Sequence, residues 1–195
     1  GWAGIKIPSW FEGEDLFAKN FKKIRYIGGH KDRMDHTIDR ARTIRTDAFR
    51  YIKNYKLDRI LLQPQYRDKK DYTHLLHQLY EADALSDIHR DIYFGERKNE
   101  ELYNIILDPF MLNDLSENSN YKKILTHHRT LLNEWLAQGD HGSELESIHE
   151  LKANGENSKW GVGVNVEYEK YRTDSDGDGL SDKWEIVNNR DPKDS

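Results

Sequence analysis

Residues 42–55 read "RTIRTDAFRYIKNY". Apolar or β-branched residues alternate with polar ones on either side of Thr46–Asp47, and Thr and Asp are residues that interrupt a strand and favour a turn. The stretch therefore predicts a β-hairpin. Working outward, "KIRYIG" (23–28) reads as a short strand, followed by "GGHKDRMDHTIDR" (28–40), which is dense in charge and reads as irregular. Residues 1–20 read as loop, because Pro8 and Gly13 break any regular element. On the other side of the hairpin, a loop carries "QPQYRDKKD" (63–71). Leu75, Leu76, Leu79, Tyr80, Ile88 and Ile92 then recur at helical intervals, predicting one or two helices over 72–93. "EELYNIIL" (100–107) predicts a strand that Asp108–Pro109 ends.

The clearest helix is expected over 119–137. Tyr121, Ile124, Leu125, His128, Leu131, Leu132, Trp135 and Leu136 share one face at i, i+3, i+4 spacing. Asn118 or Ser119 can cap its start, and Gly139 stands just past its end. His128 lies on that apolar stripe and reads as a satisfied core histidine rather than a ligand. His127 points to another helix face, so the two cannot chelate together. His74 and His77 are three residues apart on a helix face with no third ligand patterned nearby, and read as surface or partly buried. The sum is an α+β unit of residues 1–138, a small antiparallel sheet with packed helices, followed by a polar linker (139–170). The linker carries a short helical stretch (143–153) and an alternating "VGVNVEY".

Residues 174–185, "DSDGDGLSDKWE", are a separate matter. Calcium takes six to eight hard oxygen ligands, and a twelve-residue loop supplies them from positions 1, 3, 5, 7, 9 and 12. Those positions hold Asp174, Asp176, Asp178, the carbonyl of Leu180, Asp182 and Glu185, with Gly179 at the sharp turn. The loop predicts a bound calcium ion and a tail that is loose without it, since its carboxylates repel one another.

Composition narrows the classes. With 36% hydrophobic residues, 33% charged and 22 aromatics, the chain is polar but able to bury a core. No apolar run reaches the ~18 residues of a membrane span. The absence of Cys excludes disulfides and thiolate metal sites. Residues 1–70 carry 17 Lys and Arg against 9 Asp and Glu, and the remainder 13 against 26. A basic front and an acidic back suggest an anionic partner for the former. No nucleic-acid reader motif is present. The chain opens "GWAGIKIP" without Met or a signal pattern and stops at "DPKDS", so both ends read as cuts in a longer protein. There is no G-x-S-x-G, no H-E-x-x-H and no Cys nucleophile.

Several ordered blocks carry a family resemblance over about 135 residues. "AGIKIPSWFEGEDLF", "DRMDHTIDRARTIRTDAFRYIKNY", "QPQYRD" (63–68) and "EELYNIILDPFMLNDLSENSNYKKIL" followed by "LLNEWL" resemble, in this order, the C-terminal region of type I sulfatases, the heparan N-sulfatase-like bacterial group in particular. "DSDGDGLSDKWE" followed by "DP" resembles a thrombospondin type 3 calcium repeat, here over 171–195. The resemblance implies a four-stranded antiparallel sheet with a packed C-terminal helix, the smaller subdomain of an alkaline-phosphatase-like enzyme. It implies a sulfuric ester hydrolase acting on a sulfated polysaccharide, secreted or periplasmic, in a bacterium. The formylglycine nucleophile, from C/S-x-P-x-R, and a catalytic divalent cation, usually calcium, belong to an upstream domain that this chain would brace. That pentapeptide does not occur here, so no catalytic residue is assigned. In "GGHKDR" the glycine pair permits a tight reversal, which would project His30, Lys31 and Arg33 together from a sheet edge as contacts to substrate sulfate or carboxylate. The competing expectation is that Arg33 pairs with Asp32, Asp35 or Asp39. The competing function is a non-catalytic, calcium-dependent glycan-binding or adhesion protein.

Overall fold

The computed structural model describes residues 8, 17–19, 26–34, 37–63, 71–139, 149, 174–180 and 182–194. Almost all of the expected N-terminal loop, "PQYRDKK" and the linker with its short helix and "VGVNVEY" lie outside these residues. Four strands, β1 (Ile27–Met34), β2 (Thr37–Arg45), β3 (Phe49–Asn54) and β4 (Glu100–Asn104), form one antiparallel sheet in the order β1-β2-β3-β4. The helices are α1 (Asp71–Glu81), α2 (Asp87–Phe94), α3 (Lys122–Leu136) and α4 (Asp182–Val187). Among the described residues no helix is long and apolar enough to cross a membrane.

The hairpin expected over 42–55 is β2–β3. Its turn closes where Thr46 N donates to Phe49 O (2.8 Å) and Phe49 N donates to Thr46 Oγ1 (3.2 Å). Alternation sends every second side chain to one face, and the register aligns four of them across the sheet: Gly28 with Ile44, Ile44 with Tyr51, Tyr51 with Leu102. Ile44, Tyr51 and Leu102 join Leu115, Leu125 and Leu132 in the buried core, with Trp135 packed against it. Fully burying one such aliphatic side chain contributes about 1.5–3 kcal/mol, so this rung and the α3 stripe are the main apolar seam of the sheet.

Helix α3 matches its expected face, with Leu125, His128 and Leu132 buried. A short 3₁₀ turn, Ser119–Tyr121, precedes it, and Asn118 caps that turn by accepting from Asn120 N (3.0 Å). His128 is a core histidine: its Nδ1 is 2.9 Å from Ile124 O, and its Nε2 is 3.1 Å from Thr46 Oγ1. Burial pushes its pKa below the usual histidine value, the Ile124 carbonyl opposing and His127 adding to the effect. His128 thereby ties the helix to the hairpin turn. The helical stretch 72–93 resolves into α1 and α2, separated by Asp83 at φ 54° and capped by Ser86, which accepts from His89 N. His74 and His77 are both exposed, and His77 lies edge-on to Phe94 at 5.5 Å.

Three expectations are corrected. Where described, "GGHKDRMDHTIDR" is strand, forming most of β1 and the start of β2, with a register shift between Lys31 and Arg33. Ion pairs between the two strands join Lys31 to Asp39 and Asp32 to Arg42. The glycine pair makes no reversal: Gly28 lies in the strand because a Cβ there would sit 2.3 Å from Trp135 Cε2. β4 ends at Asn104, short of Asp108–Pro109, because the Asn104 carboxamide accepts from Ile106 N and Leu107 N (both 3.1 Å) and turns the chain. Beyond that turn Asp114 holds the return loop, accepting from Leu102 N (3.0 Å), Ser116 N and Lys98 Nζ (both 2.9 Å).

Gly28→Val should destabilise the fold by about 1–3 kcal/mol, because the indole must move off the sheet. Gly29→Ala, whose new Cβ meets only Thr43 Cγ2 at 3.0 Å, should cost less. Urea melts of the two variants, followed by tryptophan fluorescence, check the order.

Candidate functional site

Past the apolar rung, the sheet changes character. Asp39 on β2 is 2% exposed and sits at the register irregularity opposite β1. It accepts a two-toothed contact from Arg97, with Nη2 to Oδ2 at 3.0 Å and Nη1 to Oδ1, and an ion pair from Lys31 Nζ at 2.6 Å. The backbone N of Arg40 donates to the same Oδ1 at 2.7 Å. Burial acts to raise the Asp39 carboxyl, but the hydrogen bonds from Arg97 and then Lys31 outweigh it and hold the pKa at about 2. One carboxylate thus gathers β1, β2 and the segment leading to β4. This is a clamp rather than a reactive acid.

The other face, the one α3 covers at the Gly28 rung, carries a second charged group. Its next rung is His30, Arg42, Lys53 and Glu100 by register. Arg42 is 1% exposed, and its Nη1 donates to Asp32 Oδ1 at 2.7 Å and to Ala41 O at 2.9 Å. Glu100 accepts from Tyr51 Oη at 2.9 Å and from both arms of the Arg129 guanidinium. One rung further, Arg40 and Tyr55 are neighbours: Tyr55 N donates to Arg40 O at 3.0 Å, and the Arg40 guanidinium lies 4.8 Å from the Tyr55 ring centre. The Arg40 Nε is buried and has no hydrogen-bond partner.

The three residues singled out in "GGHKDR" therefore do not project as one group. His30 is exposed on the α3 face, while Lys31 points to the opposite face and is engaged by Asp39. Arg33 stands beyond the irregularity, opposite Ile38. Arg40, Arg42, Tyr55 and Arg97 escape a sequence reading. The one available signal was the alternation of Arg40 and Arg42 in "TIDRARTIR", which the surrounding charge obscures.

The acidic loop is built from its own backbone. Asp174 accepts from Gly177 N (2.8 Å) and Gly179 N (3.0 Å), Asp176 from Asp178 N (3.1 Å), and Asp178 from Leu180 N (2.7 Å). Gly177 and Gly179 take φ of +78° and +94°, where a Cβ is unfavourable. One carboxylate oxygen from each of Asp174, Asp176 and Asp178 lies within 4.8 Å of the others. Glu185, on α4, is 1% exposed, and its Oε2 has no hydrogen-bond partner, nor has the buried Oδ2 of Asp176. Asp182 is occupied otherwise, accepting from Ser175 N (2.7 Å) and Ser175 Oγ (2.6 Å).

No family model matches the chain. Over 161 residues, 80% of its length, it is 30% identical to an ulvan-active sulfatase of Formosa agariphila, and it covers 27% of that protein. This is a sulfatase-like homology. Among solved structures, a 2-O GAG sulfatase is similar at a TM-score of 0.46 and 20% identity, over 73% of this chain and 24% of that one. A protein solved with its substrate D-glucosamine-2-N,6-O-disulfate gives 0.41 and 19%, over 70% of this chain and 22% of its own. The chain spans about a quarter of the length of each.

The Asp39 clamp has a pH signature. A carboxyl held at about 2 in the folded chain and at 3.8 when free binds its proton more readily unfolded. Its contribution is complete above pH ~4 and is lost as the pH falls toward ~2, a difference of about 2 kcal/mol. Asp39→Asn should lower stability at neutral pH by about 3–5 kcal/mol, since Lys31 and Arg97 are left without their anion. It should also flatten the acid limb of the stability curve, read by urea melts across that pH range.

Proposed function

We propose that this chain is the C-terminal region of a secreted bacterial sulfatase that hydrolyses sulfate esters or sulfamates on an anionic polysaccharide. The observation that carries the reading is the 30% identity over 161 residues to a sulfatase of which the chain spans 27%. The ordered sequence blocks, which resemble those of the heparan N-sulfatase-like group, agree with it. In this reading residues 1–138 form the smaller subdomain, 139–170 a linker, and 171–195 a thrombospondin type 3-like repeat. The nucleophile and a catalytic divalent cation reside in the upstream domain, where the cation would stabilise negative charge on the sulfate oxygens. The present chain braces that domain. The exposed apolar residues after β4, Ile106, Leu107, Phe110 and Leu112, suit such packing, because large apolar side chains so close in sequence are seldom all left to solvent. His30 and Arg33 remain proposed contacts to the anionic substrate, whereas Lys31, on the opposite face, is held by Asp39.

The acidic loop is proposed to bind calcium as a structural appendage. The buried oxygens of Asp176 and Glu185 without partners, beside the clustered carboxylates of Asp174 and Asp178, fit a hard cation. The Leu180 carbonyl completes the protein ligands. Asp182 holds Ser175 and occupies the loop position that is often filled through water. A shell filled from within twelve residues leaves little room for substrate, so the ion stiffens the tail rather than taking part in turnover.

Three experiments test these readings. The purified chain should release no sulfate from a sulfated polysaccharide, whereas a longer protein carrying C/S-x-P-x-R upstream should; sulfate release by the chain alone, or none by the longer protein, overturns the assignment. Calcium titrated calorimetrically into the chain should bind with Kd of about 10⁻⁴–10⁻³ M and order the tail, with a change in circular dichroism. Asp178→Ala should abolish both signals. Removing residues 171–195 from the longer protein should leave kcat nearly unchanged, and loss of turnover in a folded enzyme would refute the appendage reading.

A further inference from the structure

We propose that the Arg40–Tyr55 pair, with His30 and Lys53 on the neighbouring rung of the same sheet face, is a subsite for one oxyanion group, a sulfate or carboxylate, of the glycan. The identity of the ligand as a glycan rests on the sulfatase reading; the anion site itself rests on geometry.

The charges around this end of the sheet are mostly accounted for. Lys31 and Arg97 share Asp39, Arg42 takes Asp32 at 2.7 Å, and Arg59 takes Asp58 at 2.9 Å. On the α3 face, Glu100 is held by Arg129 and Tyr51. Arg40 has no carboxylate partner among the described residues. Its guanidinium is instead stacked on Tyr55, and its Nε is buried unpaired. Stacking satisfies the face of a guanidinium, not its edge, because the N–H groups lie in the plane. A planar fork held against an aromatic ring, with no carboxylate partner among the described residues, is preorganised for an oxyanion taken edge-on by its Nη groups. Lys53 and the exposed His30 stand on the same face and add positive potential. Lys53 donates to Asn99 Oδ1 at 2.7 Å and stands across the register from Glu100, whose carboxylate is already held by Arg129. Among the described residues the carboxylates on this face, Asp32 and Glu100, each have a cation of their own, so their repulsion of an incoming anion is small.

The test uses the 195-residue chain and no turnover. Inorganic sulfate and acetate are titrated separately, with chloride at matched ionic strength as the reference, while the arginine Nε–H resonances are followed by NMR. A saturable shift of the Arg40 resonance is expected with sulfate or acetate but not with chloride, and which anion saturates at lower concentration identifies the group as sulfate or carboxylate. Arg40→Gln should weaken binding roughly tenfold or more, and Arg40→Lys should weaken it too, since the charge survives but the fork does not. If Arg40→Gln does not fold by circular dichroism, Tyr55→Leu removes the stacking ring and should also weaken binding. No saturable shift, or equal affinity in a folded Arg40→Gln chain, overturns the subsite and leaves water as the partner of Nε. Because no catalysis is measured, a failed sulfatase assay with intact anion binding removes the enzyme reading alone, and the reverse result removes the subsite alone.

Discussion

The contact between the Trp135 indole and Gly28 sets the architecture. An indole can lie flat on a sheet only where the strand beneath it lacks a side chain, and at Gly28 the clearance is too small even for a methyl group. That approach seats the end of α3 on β1, while Leu125 and Leu132 on the same stripe join Ile44, Tyr51 and Leu102 in the core. His128 adds a polar pin to the hairpin turn. The helix thus spans the sheet from edge strand to centre, and each of its contacts depends on the strand register that brings Gly28, Ile44, Tyr51 and Leu102 into line.

That seam divides the sheet into two environments. Near the Gly28 rung the side chains are apolar and the energy comes from burial. Two residues along, the same strands carry Arg42 and Asp39, and stability there depends on each buried charge meeting its partner. Removing a partner from such a group is far more harmful than its net contribution suggests, because desolvation remains when the Coulomb attraction is gone.

Much of this was legible in the chain and some was not, for identifiable reasons. Residues 42–55 and 119–137 show their periods openly because the apolar positions sit on one face of each element. The acidic loop can be read because its candidate ligands all fall within twelve residues. β1 and the start of β2 are hidden because their buried positions do not alternate: Thr37, Ile38 and Asp39 are buried in succession, and hydropathy patterning cannot see the ion pairs of Asp39. Arg97 lies 58 residues from Asp39, so nothing local marks the clamp. Gly28 misleads in a different way: glycine is a turn signal by frequency, but here it answers to a tryptophan more than a hundred residues downstream. Arg40 was passed over for the same reason as its neighbours, since one arginine in a basic run carries no mark of lacking a carboxylate partner.

Among the described residues strand β1 pairs only with β2, so its outer side forms one margin of the described sheet. Open margins invite intermolecular strand addition and, through it, aggregation. β1 counters this with its sequence: His30, Lys31, Asp32 and Arg33 run consecutively along it, and the register shift between Lys31 and Arg33 breaks the straight row of amides that a foreign strand would need. The irregularity that lets Asp39 gather its cations therefore also acts as a guard against self-association.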